Sequence, residues 1–289
     1  MEFDSPSKEF LSALHRAHVE KLSWQTIDIF AGKPNAIDIE TSISHILNQG
    51  SSYCFHLNGA FSALLRSLGY NVSLHRAGVQ PKGKEPRVDS YHLGLTVTML
   101  DTALQKEQKW LVDVGLGDMP YEPLPIIAGE YQQGPFIYII KPSDAAENGW
   151  RLENDPCAPF EGVDFAPEVV EDIEEFNSKH EFLSKSPDSV WRSLLLVQNR
   201  QQNGSNELRG CVFSQRNRNG IQKREIINKK AWFELLADVF DEKLNRYSKL
   251  EKDEIWNRVI QIHDQWRREN PDKEGYILNP EPIWFGVLD

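Results

Sequence analysis

The chain has 289 residues, 40% of them hydrophobic and 26% charged, with a formal net charge of −11. That composition excludes a disordered chain, and the length suits two or three substructures sharing a core. No apolar run approaches the ~18–20 residues that cross a bilayer, and the acidity disfavours a nucleic-acid partner, which needs the opposite sign.

The opening MEFDSPSKEF has neither the basic nor the apolar region of a secretion leader, so a cytoplasmic protein is expected. Residues 7–22 carry Phe10, Leu11, Leu14, His18 and Leu22 at helical spacing, and residues 38–47 read as a second short helix. A third helix is predicted from Cys54 to Leu68, with Gly69 as its C-cap and Leu57, Phe61, Leu64, Leu65 and Leu68 on one buried face. After Gly69 the period changes to two. Tyr70 to Leu74, Tyr91 to Met99, Trp110 to Val114, Phe136 to Ile140, the stretch around Trp150 and Leu152, and Ser193 to Val197 are strand candidates. The basic run QRNRNGIQKR (215–224) reads as a solvated hairpin loop. Helical spacing returns at 229–240 and 250–267, and a final Pro-containing segment (Pro271, Pro280, Pro282) is expected to be extended. The fold expected is thus α+β. A helical bundle fills residues 1–82, an antiparallel barrel-like sheet 83–190, and an α/β lid 191–289.

The cysteines Cys54, Cys157 and Cys211 have no paired spacing, which argues against a disulfide framework and a zinc site; no metal is expected. Cys54 follows the small residues Gly50, Ser51 and Ser52 and opens a helix, where unpaired N–H groups and the macrodipole favour a thiolate. A buried small hydrophobe is the bland alternative. Asp113, between Val112 and Val114, would be costly to bury without a partner, and His92 lies in the neighbouring predicted strand. A hairpin turning between residues 102 and 103 would set His92 directly opposite Asp113 on one face. The polar run DTALQKEQK (101–109) is centred two or three residues later, so the register stays open, but either way the two residues fall close together in one pair of strands. A Cys–His–Asp constellation follows if that sheet edge meets the start of the third helix.

The order and spacing of Cys54, His92 in SYHLGLTV and Asp113 in LVDVGLG resemble those of the arylamine N-acetyltransferases. LHRAHVEKLSWQTIDIFAGKPNAID (14–38), CFHLNGAFSALLRSLGYNVSLHRAGV (54–79), with Asn58 four residues after the cysteine, and FNSKHEFLSKSPDSVW (176–191) extend the resemblance over about residues 8–240. It implies catalytic Cys54, His92 and Asp113 in a cysteine-protease-like core, and ping-pong transfer from acetyl-CoA to a small arylamine or arylhydrazine through an acetyl-cysteine. It also implies a role in xenobiotic metabolism. Gly115, Gly117 and Ser214 match the regions that cradle the cofactor, with a tight turn as the other role for the two glycines. Tyr53, Phe55, Phe136 and Trp191 are candidates for an aromatic substrate pocket, or simply core. The oligomeric state is left open. The chain departs from the family where Arg-Gly-Gly becomes Gly50-Ser51-Ser52, leaving Gln49 as a weak substitute for the arginine that ties this loop down. His56, Leu116 and Trp24-Gln25-Thr26 are further departures. They keep two other readings in view: a thiol acyltransferase, amide synthase or hydrolase using the same triad, and a catalytically silent relative.

Overall fold

The computed structural model describes residues 6–89, 91–101 and 105–271, so most of the expected extended C-terminal segment lies outside the described residues. In chain order the elements begin with α1 (Lys8–Lys21), β1 (Trp24–Gln25), α2 (Ile27–Phe30), α3 (Ile39–Leu47) and α4 (Cys54–Ser67). Then come β2 (Asn71–Pro81), β3 (His92–Asp101), β4 (Lys106–Leu111), β5 (Leu124–Pro125), β6 (Gly129–Gln133), β7 (Phe136–Pro142), β8 (Trp150–Glu153) and β9 (Phe160–Val170). After α5 (Asn177–Lys185) follow β10 (Leu196–Gln201), β11 (Gly204–Arg209), β12 (Val212–Asn217), β13 (Gly220–Glu225), α6 (Lys229–Phe240) and α7 (Lys249–Glu269).

Helix α4 ends as its sequence dictates. Gly69 takes φ +88°, Gly69 N–H bonds to the Arg66 carbonyl and Tyr70 N–H reaches back to that of Leu65, closing a Schellman motif that only a residue tolerant of left-handed backbone completes cheaply. Its burial is not the single stripe expected. Every residue from Cys54 to Ser62 is buried, whereas Leu64 is 43% exposed. Polar residues tolerate burial here because they are bonded: Ser62 Oγ to the Gly59 carbonyl, His56 to Ser52 and to the Asn35 carbonyl.

The central sheet runs β5-β4-β3-β2-β9-β8-β7-β6, entirely antiparallel in its pairings. Its two edge strands, β5 and β6, are joined by only residues 126–128. Laid flat, eight strands would separate those edges by roughly 34 Å, and so short a connection spans about 14 Å. The sheet must therefore curl until its edges nearly meet, which is the barrel-like form expected. β2 lies on the N-terminal side of the boundary placed at residue 82, yet it pairs with both β3 and β9. The helical and barrel parts share one core, with Leu57, Phe61 and Leu65 of α4 beside Leu93, Leu95 and Val97 of β3.

A second sheet, β1-β10-β11-β12-β13, packs against α6 and α7 around Trp232, Leu236, Phe240 and Trp256. The run 215–224, expected as a solvated hairpin loop, is a hairpin of two paired strands, with Gln215↔Gln222 and Arg216↔Ile221 opposite one another. Cys211 belongs to this core, where burial pushes its thiol pKa up to about 12. Cys157 is exposed. Trp24 and Gln25 leave the helical segment to pair with Gln198 and Val197 of β10, which ties the two parts together. Among the described residues no helix is long and apolar enough to cross a membrane.

Candidate active site

Cys54 is the first residue of α4 and is 2% exposed; the N-cap, Tyr53, makes no side-chain capping bond. The sulfur is 3.7 Å from the Tyr91 carbonyl, to which the thiol donates. His92, the first residue of β3, is fully buried, and its Nε2 is 2.6 Å from Asp113 Oδ2. The ring's other nitrogen, Nδ1, is buried with no hydrogen-bond partner among the described residues, and the Cys54 sulfur is close enough to favour a charged ring. One nitrogen is therefore engaged by the carboxylate and the other is left for the sulfur.

Burial works against charge on the ring, but the Asp113 carboxylate and its hydrogen bond, with a further pull from Cys54, raise the His92 pKa to about 10. Burial likewise pushes the Asp113 pKa up. The His92 charge and hydrogen bond, then Asn58 and the Gly115 N–H, outweigh that and hold it below the usual carboxylate range. The arrangement can hold an imidazolium between a carboxylate and a sulfur, the state that makes a cysteine nucleophilic.

The hairpin register, left open by the sequence, is shifted from a turn between residues 102 and 103. β3 and β4 pair from Thr96↔Leu111 to Asp101↔Lys106, and Val112 N–H bonds to the Leu95 carbonyl. Continued, that register sets Asp113 across from Gly94, two residues from the place opposite His92. A two-residue shift keeps a side chain on the same face, so the carboxylate still reaches the ring.

Asn58 is the residue whose importance the sequence understated. One turn after Cys54 on α4, its Nδ2 donates to Asp113 Oδ1 at 2.8 Å and to the Leu93 carbonyl, and its Oδ1 accepts from Val114 N–H at 3.0 Å. The i, i+4 spacing from Cys54 was the available signal. His15 of α1, also unforeseen, binds the Tyr121 carbonyl at 3.0 Å beside Asp113, and burial lowers its pKa to about 4.

The four aromatic candidates are all buried. Tyr53, Phe55 and Trp191 form one cluster at the head of α4, with ring centroids 5.5 and 5.0 Å from Tyr53. Phe136 stands apart in β7, beneath the guanidinium groups of Arg216 and Arg200 at 3.9 and 4.7 Å. Gly115 lies against the helix start: a Cβ there would come within 2.5 Å of Asn58 Nδ2 and 3.1 Å of Cys54 Cα. Gly117 lies against β10, where a Cβ would come within 2.2 Å of Gln198 Cβ. Gly117 and Ser214 also line a cavity of about 190 Å³ that carries Lys82, Arg209, Arg216 and Lys223, with Asp118 and Glu207 among its walls.

The family model described as N-acetyltransferase matches residues 8–248. The chain belongs to the arylamine N-acetyltransferase family. It is 28% identical over 213 residues to the arylamine N-acetyltransferase pineal gland isozyme NAT-3 of Gallus gallus, an alignment covering 65% of this chain and 70% of the relative. Among solved structures, the arylamine N-acetyltransferase of Mycobacterium abscessus superposes with a TM-score of 0.78 at 21% identity, over 90% of this chain and 91% of that one. The Mycobacterium marinum arylamine N-acetyltransferase in complex with CoA gives 0.78 at 21% identity, over 91% and 96%. At those identities the structural likeness shows a shared fold. Membership makes the chain an acyltransferase by family.

In this family member the loop before Cys54 is held differently from the expectation placed on Gln49. Gln49 takes φ +60°, its N–H bonds to the Ile46 carbonyl within the end of α3, and its side chain accepts a surface bond from Asn245 at 3.1 Å. Gln25 does the tying instead: its Nε2 donates to the Ser51 carbonyl, and its backbone N–H to that of Ser52 at 2.9 Å. Ser51 Oγ adds a bond to the Ser23 carbonyl.

Proposed function

We propose that the chain transfers an acetyl group from acetyl-CoA to the amine of an arylamine or arylhydrazine through an acetyl-Cys54 intermediate. The observation that carries this reading is the buried, hydrogen-bonded His92–Asp113 pair next to Cys54, the first residue of α4. The Cys54 thiolate attacks the thioester carbonyl carbon, and the departing CoA sulfur takes its proton from the His92 imidazolium. The amine nitrogen then attacks the acetyl-cysteine, His92 accepts the proton it sheds, and Cys54 leaves as thiolate. Asp113 orients the ring and stabilises its charge. The Cys54 N–H, at the uncapped start of α4, is the proposed oxyanion donor.

The cavity supports a CoA thioester as donor. The chain is acidic overall, yet Lys82, Arg209, Arg216 and Lys223 gather at its walls, and phosphates favour such a lining. Gly117 lies on that wall and Gly115 lies under Cys54, so a stretch of two residues, about 7 Å, leads from the cavity to the nucleophile. The proposed roles of Gly115, Gly117 and Ser214 are therefore to let the donor pass close to the backbone.

Initial rates measured over a grid of acetyl-CoA and aniline concentrations test the reading. Parallel double-reciprocal lines, abolished in Cys54→Ser, are expected. Intersecting lines, or turnover that survives in Cys54→Ser, would contradict it.

A further inference from the structure

The loop that delivers Cys54 has a further anchor besides Gln25 and the Ser51 hydroxyl. His45 Nε2 lies 3.1 Å from the Ser51 carbonyl and 3.2 Å from Asp28 Oδ2, so one N–H is shared between two acceptors. The same ring is pressed against Gly50: a Cβ on residue 50 would come within 2.5–2.7 Å of three of its atoms. His45 thus occupies, from α3, the space that a side chain at position 50 would need.

The ring is fixed from several directions. Asn35 Nδ2 is 3.4 Å from His45 Nδ1 and 3.4 Å from Asp28 Oδ2. Asp28 Oδ1 accepts from Arg246 Nε at 2.9 Å and from the Tyr247 hydroxyl. Arg246 is held in turn by Glu242 at 2.8 Å. The segment between α6 and α7 therefore reaches the nucleophile's loop through three side chains in series: Arg246, Asp28, His45.

We propose that His45, fixed by Asp28 and Arg246, is a positioning residue that sets Cys54 against His92 by holding the Ser51 carbonyl and filling the space beside Gly50. The role rests on Cys54 being the nucleophile. A buried polar cluster that merely joined α3 to the C-terminal segment would support folding but leave the reactivity of the sulfur unchanged.

The test is the rate of Cys54 alkylation by iodoacetamide as a function of pH, read on the Cys54 peptide by mass, with far-UV circular dichroism and Tm on each variant. His45→Ala is expected to slow alkylation about 10-fold or more near neutral pH and to move its profile toward that of an ordinary thiol, near pH 8.5. His45→Gln, whose amide keeps N–H donors for the Ser51 carbonyl, is expected to recover most of the rate. Gly50→Arg is expected to be slow because the arginine meets the His45 ring, and His45→Ala/Gly50→Arg to be at least about 5-fold faster than Gly50→Arg alone, a coupling that a loss of folding does not imitate. A folded His45→Ala protein with the wild-type rate and profile overturns the proposal, as does a double variant no faster than Gly50→Arg. Wild-type Cys54 that reacts no faster than glutathione overturns the reading of Cys54 as nucleophile, and this inference with it.

Discussion

Asn58 joins the helix that carries the proposed nucleophile to the strand and the loop that carry its proposed partners. Its amide serves Asp113, the Leu93 carbonyl and the Val114 N–H at once. Asn58→Ala strands a buried carbonyl and a buried N–H, each costing roughly 1–3 kcal/mol. The variant is expected to lose about 2–4 kcal/mol of stability by urea denaturation and to acetylate Cys54 at least about 10-fold more slowly. A stable Asn58→Ala enzyme with full activity would remove it from the site. Gly115 meets a steric limit instead. Its missing Cβ leaves room for Asn58 and for the Cys54 backbone, so Gly115→Ala should displace the nucleophile. A loss of about 100-fold in single-turnover acetylation is expected, and an unaffected rate would mean that the helix start can yield.

At the scale of elements, the cavity between the barrel and the second sheet makes its own prediction. Lys223 projects from β13 and Arg209 from β11 into its wall. Charge reversal at both is expected to raise the KM for acetyl-CoA about 10-fold, steeply dependent on salt, while the rate of the amine half-reaction stays within about 2-fold. An unchanged KM would place the phosphates elsewhere. The elements themselves were legible to different degrees. The start of α4, its glycine stop and the alternation of β3 follow from spacing. β9 was missed because residues 162–166 are buried on both faces and leave no alternation to read, while Pro167 interrupts the pattern. β11 to β13 were missed because they are short and polar; the charges that suggested a loop at 215–224 belong to a paired hairpin. Within the proposed site, the closeness of Cys54, His92 and Asp113 was legible because helix start, strand and hairpin are local signals. The anchors could not, since Asp28 and Arg246 are 218 residues apart in sequence and no pattern announces their meeting.

The described residues form two cores, joined by β1 in the second sheet and by the buried Asp118–Arg216 ion pair at 2.5 Å, and the proposed triad lies within the first. Its charge state should therefore be visible in global stability. The His92 pKa rises from 6.5 to about 10 on folding, so its contribution is complete below pH 6.5 and is lost as pH climbs through about 10. The Asp113 pKa falls from 3.8, so its contribution is present above that value and is lost as pH drops through the depressed one. The stability difference between wild type and Asp113→Asn is expected to be greatest between about pH 4 and 6.5 and to shrink steadily toward pH 10. A difference that does not vary with pH would mean that the pair is not charged.

The most direct measurement is the intact mass of the protein after brief mixing with acetyl-CoA. The account predicts a gain of about 42 Da, carried on the Cys54 peptide, that disappears when aniline is added and never forms in Cys54→Ser. An unmodified wild-type protein that nevertheless acetylates the amine, or an acetyl group carried on another residue and competent for transfer, would contradict it.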